Sequence, residues 1–551
     1  MYLTIDYDKS KDKGIIQSDF LDNIREHFSE EDDKAGLKKK IFKTNNIPSR
    51  KYIITKAGRF DLGMIPLIIE FLKSLGTPFN MIFSDDFKKR YYCKYPWCEN
   101  EITELNVILR GYQKDGLVIG LKTGNGIFLY PTASGKSLLM ATLVHNVRTN
   151  EPTTKTLIIT LSHLVGQLYS DFISYGVSPN DMCKWTGDSE DKLNQNANIV
   201  ICSPNILYPK LENTAKEIKK AKIVGLTIQK KIKNTPNLTD KQLQEYTTLL
   251  KRIDKDIATM KARQPETEQV QAWLGSLDLL LVDEIHSFKK TNEISNVLDY
   301  ITTRHKYGFT GTLPVSKIDE WNIIGRFGKV VYEVSREFLV ENEYITDVDI
   351  KILSIHYKDP EMEPMDEMME APEEEEDTSM TAKYFAELEF LHYNTFRNKL
   401  IKKITEKLDK NCLILVDRIA HGECLKDYLT TAVPHKKIYF IQGSVEDVDR
   451  DKIKALMEKD DDIVVIAMSR IFSTGINIKN LHYIIFASAG KAKIGIIQSI
   501  GRGVRPLEGK HILVIFDLAD NRQYGMRHLE KRKQIYTNEK LKYSITHIYE
   551  T

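Results

Sequence analysis

The chain has 551 residues, of which 42% are hydrophobic and 28% charged, and its formal net charge is +2. At roughly 100–200 residues per domain this length accommodates about three or four domains, and the near-neutral balance excludes a surface that is basic throughout, so any nucleic-acid-binding surface has to be local. Six scattered cysteines argue against a disulfide framework, and the chain has neither an apolar run that could span a membrane nor an apolar signal core at its N-terminus, so we expect a soluble intracellular protein.

Residues 1–95 predict a small α+β domain that binds nucleic acid. Short strand-like runs such as residues 52–55 accompany one apolar helix at residues 64–75. The candidates for nucleic-acid contact are the basic residues Lys38, Lys39, Lys40, Lys43, Arg50, Lys51 and Arg59. Two interpretations of these residues stay open: a surface that holds duplex nucleic acid, and a solvated face of the domain.

Residues 96–345 predict a first α/β domain. Apolar strands at residues 126–130, 156–160, 198–202 and 277–282 alternate with helical segments, and each strand is a continuous apolar run. Such runs are typical of parallel strands that are covered on both faces of the sheet.

Residues 211–268 interrupt this pattern and predict a helical hairpin inserted in the first α/β domain. The segment is rich in Lys, Glu, Gln and Asp, and a loop within it ends in a candidate helix N-cap at Thr239 or Asp240. Its apolar residues recur at helical spacing, namely Ile218, Ile223, Leu226, Ile232, Leu243, Leu249, Leu250, Ile253 and Ile257. The hairpin is either a solvated surface arm or an arm that grips DNA or separates its strands.

Residues 346–551 predict a second doubly wound α/β domain. Near its start, the acidic and proline-containing stretch at residues 359–377 is typical of a disordered linker or loop. Five strand-like runs separated by helical segments follow, at residues 412–416, 437–441, 463–467, 483–487 and 512–516.

A phosphate-binding loop is predicted at residues 130–137, where YPTASGKS lies between an apolar strand and an apolar helix. Backbone N–H groups at a helix N-terminus bind phosphate oxygens. The candidate contacts are Thr132, Ser134, Gly135, Lys136 and Ser137. Lys136 is expected to neutralise the β- and γ-phosphates and the hydroxyl of Ser137 to bind Mg²⁺, although Tyr130 stands where the strict form of this loop has its first glycine.

Two carboxylates follow the strand at residues 277–282, in the sequence DEIH. Ligands of open α/β sheets bind at the carboxyl ends of the strands. We therefore expect Asp283 to hold Mg²⁺, directly or through water, and Glu284 to polarise the attacking water. His286 is expected to sense the γ-phosphate and to pass its state to the turn at residues 310–312.

Gln498, Arg502 and Arg505 are spaced i, i+4 and i+7, so they share one face of a predicted helix. Two guanidiniums directed at one point suit a polyphosphate and stabilise charge in its transition state. Farther upstream, Gln113 is a candidate for the adenine edge, with Tyr112 or Arg110 flanking the base.

Residues 472–477 offer hydroxyl and backbone N–H groups to a phosphate backbone or to a ribose. The candidate contacts in this sequence are Ser473, Thr474, Gly475 and Asn477. Gly475 is assigned to the nucleotide and the other three to nucleic acid.

In their order along the chain, these sequences resemble the motifs of the superfamily 2 helicases. The series covers about residues 110–520 and runs through Gln113, Lys136, 160–167 (TLSHLVGQ), 202–205 (CSPN), 283–286 (DEIH), 310–312 (TGT), 416–421, 473–477 (STGIN) and 498–505 (QSIGRGVR). The sequences FSTGINIKNLHYIIFA, KAKIGIIQSIGRGVR and YPTASGKS, and the N-terminal RKYIITKAGRFDLGMIPLIIEFLKSLG, are similar to the UvsW family of phage helicases.

This resemblance implies an ATP-dependent DNA helicase with two RecA-like parallel-sheet domains. ATP and Mg²⁺ would bind between these domains, Arg502 and Arg505 would close over the γ-phosphate, and each cycle would move the domains along one DNA strand. The contacts with that strand are carried over to Ser162, Gln167, Ser203, Pro204, Ser473, Thr474 and Asn477. The basic residues Lys39, Lys40, Arg50 and Lys51 would hold duplex near a junction.

For the UvsW family the implied substrates are forks, D-loops, R-loops and Holliday junctions, in viral recombination, repair and replication. The implied protein is a monomer in the cytoplasm of a host cell, with single-stranded and branched DNA, RNA in hybrids, and single-stranded-DNA-binding or recombination proteins as partners. The sequence departs from the family in the hairpin, in the acidic stretch and in DEIH in place of DECH.

Two other functions stay open at this point. The same motifs serve RNA-directed or transcript-release ATPases of the superfamily. The chain could instead be a nucleic-acid-binding module without turnover, but the intact Lys136, Asp283, Glu284, Arg502 and Arg505 argue against that function.

Overall fold

The computed structural model describes residues 1–32, 49–92, 102–131, 133–187, 192–211, 214–235, 239–287, 293–314, 316–358, 378–441, 446–472, 478, 480–487, 512–538 and 540–550. The chain forms two compact units, Met1–Leu129 with Ser137–Glu333, and Tyr130–Lys136 with Val334–Thr551. The acidic stretch at residues 359–377 lies outside the described residues.

The strands β1–β20 are, in chain order, Tyr2–Asp8, Lys13–Gln17, Ser29–Glu31, Arg50–Tyr52, Arg59–Phe60, Asn80–Phe83, Gly126–Leu129, Thr156–Ile159, Met182–Trp185, Ile199–Cys202, Leu279–Asp283, His305–Thr310, Val330–Glu333, Asp347–His356, Cys412–Val416, Lys437–Ile441, Ile463–Met468, Tyr483–Phe486, Ile512–Asp520 and Lys542–Tyr549. The helices α1–α17 are Leu21–His27, Ile65–Ser74, Asp85–Tyr91, Gly111–Thr123, Lys136–Asn150, Val165–Ser174, Pro204–Leu211, Thr214–Asn234, Asp240–Gly275, Glu293–Leu298, Lys317–Phe327, Arg336–Glu341, Thr378–Tyr393, Thr395–Lys407, Ile419–Ala432, Glu446–Lys459 and Gln523–Asn538.

The N-terminal part of the first unit has the predicted α+β class. Strands β1 and β2 form an antiparallel hairpin, β5 pairs with β2, and β6 pairs in parallel with the other side of β1. Alternate residues Leu3 and Ile5 of β1 share a core with α2, which buries Ile65, Ile68 and Leu72 at helical spacing. The strand that the sequence predicts at residues 52–55 lies instead at β4, where it pairs with β3.

The first unit also contains a fully parallel sheet with the strand order β13-β7-β12-β11-β8-β10-β9. Its register aligns Leu129 with Thr310, Phe309 with Asp283, and Ile159 with both Val282 and Cys202. Because the strands are parallel, their carboxyl ends meet at one edge of the sheet, and the loops that follow β7, β8, β10, β11 and β12 all leave from that edge.

The N-terminal sheet packs against helix α11 of the same unit. The rings of Phe28 and Trp321 meet edge to face with their centroids 5.2 Å apart. The carboxylate of Glu30 accepts hydrogen bonds from the hydroxyl of Ser316 at 2.8 Å and from the backbone N–H of Ile318 at 3.3 Å. Glu30 therefore satisfies a donor at the start of α11, where the helix dipole favours a negative charge.

Half-buried charged side chains also join the N-terminal part to the rest of the first unit. Arg90 donates two hydrogen bonds of 2.8 Å to the carboxylate of Asp12 and a third, also of 2.8 Å, to the carbonyl of Thr302. Burial lowers the pKa of the nearby Lys306 to about 8, although the Asp12 carboxylate opposes this shift. Hydrogen-bonded pairs of this kind fix the relative position of the elements that carry them.

The inserted hairpin consists of α8 and α9, which pack along each other. Thr239 is the N-cap of α9, and its hydroxyl accepts a hydrogen bond from the backbone N–H of Gln242. The side-chain carbonyl of Gln242 accepts in turn from the backbone N–H of Thr239. Gly225 of α8 is buried, and its Cβ position lies 3.7 Å from Ile253 of α9. Four of the apolar residues that recur at helical spacing, Ile223, Leu226, Leu243 and Leu249, are exposed instead of lying in this contact.

The second unit contains another parallel sheet, with the order β16-β17-β15-β18-β19-β14-β20. Two buried ion pairs attach helices to β19: Arg397 of α14 binds Asp520 with bonds of 2.9 and 3.2 Å, and Arg532 of α17 binds Asp517 at 2.8 Å. The two parallel sheets with their helices confirm the predicted α/β class with two RecA-like domains. Within the described residues, no helix combines the length and the apolar character needed to cross a bilayer.

We expect Gly63→Ala to destabilise the contact between the N-terminal sheet and α11. A Cβ atom at Gly63 would lie 2.1 Å from the carbonyl oxygen of Ile324, so backbone has to move. Overpacking of this kind costs about 1–3 kcal/mol, measurable as the free energy of unfolding in urea. Gly275→Ala is the control, because nothing lies within 4 Å of a Cβ atom there. Equal stability of the two variants would contradict a close backbone contact.

Candidate nucleotide-binding site

The predicted phosphate loop connects β7 to α5 through a sharp backbone turn. Ala133 and Gly135 have φ values of 66° and 82°, in the left-handed region that is costly for alanine. The buried hydroxyl of Ser134 donates to the carbonyl of Pro131 at 2.6 Å, which closes the turn. Lys136 is the first residue of α5, and its ammonium group donates to the carbonyl of Tyr130 at 3.3 Å. The loop thus carries its lysine at a helix N-terminus, an arrangement that binds phosphate.

Tyr130, which replaces the first glycine of the strict loop form, is fully buried. Among the described residues, those with a left-handed φ do not include Tyr130. The backbone at this position therefore has no need of glycine, and the aromatic ring adds to the core beneath the loop.

Ser137 lies in the first turn of α5, and its hydroxyl is 2.9 Å from the phenolic oxygen of Tyr175 at the end of α6. This partner orients the hydroxyl that the sequence assigns to Mg²⁺. Ser137 and Asp283 would supply oxygen ligands, which are the ligands that Mg²⁺ prefers.

The two carboxylates occupy the end of β11. Asp283 is the last residue of the strand, and one of its oxygens accepts from the N–H of Glu284 at 3.0 Å while the other lies 3.4 Å from the hydroxyl of Thr160. Glu284 adopts a left-handed φ of 52° and is 95% buried. A strained backbone that directs a buried carboxylate is typical of functional sites.

A chain of polar contacts leads from Glu284 to the neighbouring strand. The Nδ1 atom of His286 lies 3.3 Å from a carboxylate oxygen of Glu284 and 2.8 Å from the hydroxyl of Thr310, at the end of β12. That hydroxyl donates in turn to the carbonyl of Thr312 at 2.8 Å. Because the hydroxyl donates to Thr312, it accepts from Nδ1–H of His286, which defines the tautomer of the ring.

Gln113 and Arg110, the candidates for the adenine base, lie at the start of α4. The side-chain carbonyl of Gln113 accepts from the backbone N–H of Arg110 at 2.9 Å, and the Gln113 side chain is buried. The glutamine therefore stabilises the start of the helix. Contact of either residue with adenine stays a prediction.

The candidate strand-binding residues follow β8 and β10 at the same sheet edge. Ser162 and Gln167 are exposed, whereas Ser203 and Pro204 are buried at the start of α7. The side-chain amide of Asn205 donates to the hydroxyl of Ser162 at 3.2 Å and so joins the two loops. Their role in binding nucleic acid stays a prediction.

Arg50 and Lys51 have acidic partners within the N-terminal part. Arg50 lies 3.0 Å from a carboxylate oxygen of Glu26, and Lys51 lies 3.4 Å from one of Asp32. These contacts partly neutralise the charge that a nucleic-acid surface would use, and the proposed role of both residues stays a prediction.

Arg59 also has an acidic partner, because its guanidinium lies 2.8 Å from a carboxylate oxygen of Asp8. The remaining candidates lie outside the described residues: Lys38, Lys39, Lys40, Lys43, Thr132, Ser473, Thr474, Gly475, Asn477, Gln498, Arg502 and Arg505. Two contacts in the described site were absent from the candidate set, Thr160 with Asp283 and Tyr175 with Ser137. The position of Thr160 directly after a strand neighbouring β11 is a signal that could have identified it, whereas nothing in the sequence pairs Tyr175 with Ser137.

Thr310→Val should break the contact between His286 and the carbonyl of Thr312 while keeping the side-chain volume. The loss of about one hydrogen bond predicts up to an approximately tenfold fall in the ratio of nucleic-acid-stimulated to basal ATP turnover. Thr310→Ser, which keeps the hydroxyl, is the matched control. A normal ratio in Thr310→Val would show that this contact carries no coupling.

Two family descriptions match the chain. Residues 106–315 match "Type III restriction enzyme, res subunit", and residues 396–506 match "Helicase conserved C-terminal domain".

Two viral proteins are among those similar to this chain. The ATP-dependent DNA helicase uvsW of Enterobacteria phage T4 is 25% identical over 446 residues, which cover 79% of this chain and 74% of that protein. The Putative helicase 22 of a Sulfolobus islandicus filamentous virus is 24% identical over 51% of this chain and 49% of its own length. The crystal structure of T4 UvsW aligns over the whole of both chains at 20% identity, with a TM-score of 0.41.

Proposed function

Since the chain is an ATP-dependent superfamily 2 helicase that resembles UvsW of phage T4, we propose that it unwinds or remodels branched DNA. The substrates would be forks, D-loops, R-loops and Holliday junctions in viral recombination, repair and replication. The observation that carries the catalytic part of this proposal is the alignment of β7, β11 and β12, which brings Leu129, the last residue before the phosphate loop, to the same sheet edge as Asp283 and Thr310.

In the proposed site, Lys136 and the backbone of Ser134 and Gly135 bind the phosphates of ATP. The oxygens of Ser137 and Asp283 would hold Mg²⁺, which neutralises phosphate charge when it is bound. The buried carboxylate of Glu284 accepts a proton from the attacking water, and its contact with His286 keeps it oriented. Arg502 and Arg505 would contact the γ-phosphate, a role that rests on their helical spacing in the sequence.

Hydrolysis is coupled to movement through the contacts of His286 with Thr310. A change at the γ-phosphate alters the contacts of Glu284, and the hydrogen bond of His286 transmits this change to the turn after β12. That turn precedes α11, against which the N-terminal part packs through Phe28 and Glu30. The N-terminal part would therefore move together with the first parallel sheet.

Nucleic acid would be held by the loops after β8 and β10. Ser162 and Gln167 are exposed at the edge where those strands end, and Asn205 bonds Ser162. Hydroxyl and amide groups of this kind contact phosphates and sugars and carry no sequence information. Binding is thus expected to tolerate any base sequence and to weaken as salt is added.

Lys136→Ala and Glu284→Gln should each slow ATP turnover by at least about 100-fold, because one loses the phosphate charge partner and the other the proton acceptor. Nucleotide binding separates the two: Lys136→Ala should weaken it, and Glu284→Gln should retain it. Glu341→Gln, an exposed carboxylate on α12, is the control and should turn over normally. Normal turnover in Glu284→Gln would refute its assignment as the base.

The substrate class is tested by steady-state ATP turnover at one salt concentration with no nucleic acid, single-stranded DNA, duplex DNA, a four-way junction and RNA. Strongest stimulation by single-stranded or branched DNA is the expected result. Stimulation by RNA above DNA would favour an RNA-directed or transcript-release ATPase of the same superfamily. The absence of stimulation by every nucleic acid would contradict the proposed function.

A further inference from the structure

The positive charge of the hairpin is concentrated on its first helix. Helix α8 carries seven lysines and one glutamate, a charge of +6, whereas the whole chain has a net charge of +2. Helix α9 mixes lysine and arginine with aspartate and glutamate along its length. The chain therefore presents a strongly basic surface in one place, on a helix that the nucleotide site does not include.

The buried and exposed positions of α8 define two opposite faces. Ile218, Gly225 and Ile228 are buried, and Gly225 lies against α9. On the opposite side, the residues at positions 219, 223, 226, 230 and 233 follow one another at intervals of four and three, so they form a single stripe. All five are exposed, and so is Lys222, which lies four positions before Leu226 at the edge of the stripe. We call the exposed face formed by Lys219, Lys222, Ile223, Leu226, Lys230 and Lys233 the α8 outer face.

The α8 outer face has basic ends and an apolar centre. Ile223 and Leu226 are 55% and 57% exposed, although isoleucine and leucine are ordinarily buried. Lys219 and Lys222 lie toward one end of the helix from them, and Lys230 and Lys233 lie toward the other. Each lysine of the first pair lies eleven positions before its counterpart in the second, from Lys219 to Lys230 and from Lys222 to Lys233, which corresponds to about 16 Å along the helix axis.

This arrangement matches a groove of double-stranded DNA. The major groove is about 12 Å wide and is bordered by phosphates of both strands, so two lysine pairs about 16 Å apart can reach both borders. Apolar side chains contact the thymine methyl groups that the major groove exposes. Single strands are instead held on aromatic side chains, and the α8 outer face has none.

We propose that the α8 outer face is a second DNA-binding site of this protein, which binds duplex DNA across a groove. Lys219 and Lys222 contact the phosphates of one strand, Lys230 and Lys233 contact those of the other, and Ile223 and Leu226 lie against the base edges between them. The choice of DNA as the ligand rests on the proposed function. The site would hold the duplex beside the motor while the loops after β8 and β10 bind the strand that is moved.

The test compares two variants of the full chain that lose the same number of charges from the same hairpin. The first is Lys219→Ala/Lys222→Ala/Lys230→Ala/Lys233→Ala. The control is Lys251→Ala/Arg252→Ala/Lys255→Ala/Lys261→Ala, whose four residues are exposed on α9. Alanine is the best helix former, so both sets of substitutions preserve the helices, and equal thermal unfolding midpoints check this.

The measurement is the dissociation constant for a blunt duplex of about 20 base pairs, without nucleotide, by fluorescence anisotropy between about 50 and 200 mM salt. Each lost phosphate contact reduces the magnitude of the slope of log K against log salt concentration by about 0.9. This slope should therefore be smaller in magnitude by about 3 to 4 in the first variant and by less than about 1 in the control. Ile223→Ser/Leu226→Ser should weaken duplex binding several-fold and leave the slope unchanged.

Three results would overturn the proposal. An equal loss of duplex affinity in both quadruple variants would show that binding depends on the overall charge of the hairpin and not on the α8 outer face. If the α8 variant lost affinity for single-stranded DNA but not for duplex DNA, groove binding would be excluded. If its affinity for both were unchanged, the α8 outer face would not bind DNA, and an acidic protein would be its partner. ATP turnover of the wild-type chain without nucleic acid is measured in parallel, and its absence would refute the proposed function without deciding the duplex result.

Discussion

The parallel register of the first large sheet is the constraint on which the candidate site depends. Hydrogen bonds between β7, β12, β11, β8 and β10 align Leu129, Thr310, Asp283, Ile159 and Cys202 at one edge. Residues that are more than 150 positions apart in the chain thereby reach the same edge. A shift of one strand by a single residue would turn its side chains to the opposite face and remove them from the site.

Within that edge, hydrogen bonds orient the groups that carry charge. Asp283 accepts from the N–H that follows it, and Glu284 is held in a left-handed conformation beside His286. The bond of His286 to Thr310 then connects the second carboxylate to an adjacent strand. A buried carboxylate with these neighbours is preorganised, so little energy is needed to reorient it when a nucleotide binds.

Three basic residues of the N-terminal part and the described lysines of α8 have different surroundings. Arg50, Lys51 and Arg90 contact carboxylates and therefore stabilise the N-terminal part of the protein. Six lysines of α8, namely Lys219, Lys220, Lys222, Lys230, Lys231 and Lys233, are exposed along a helix that carries a single glutamate. Composition alone does not separate these groups. The sequence does not show whether a lysine or arginine pairs with a carboxylate in the folded protein or faces solvent.

The sequence by itself determined the α/β class, most of the buried strands and the phosphate loop with its carboxylates, because continuous apolar runs and glycine-rich turns are local signals. It missed the edge strand Lys542–Tyr549, whose residues are mostly exposed and lack such a run. Only the tertiary structure decided that Tyr175 reaches Ser137 and that Ile223 and Leu226 face outward. These outcomes depend on which distant elements pack together, and helical spacing or residue type does not contain that information.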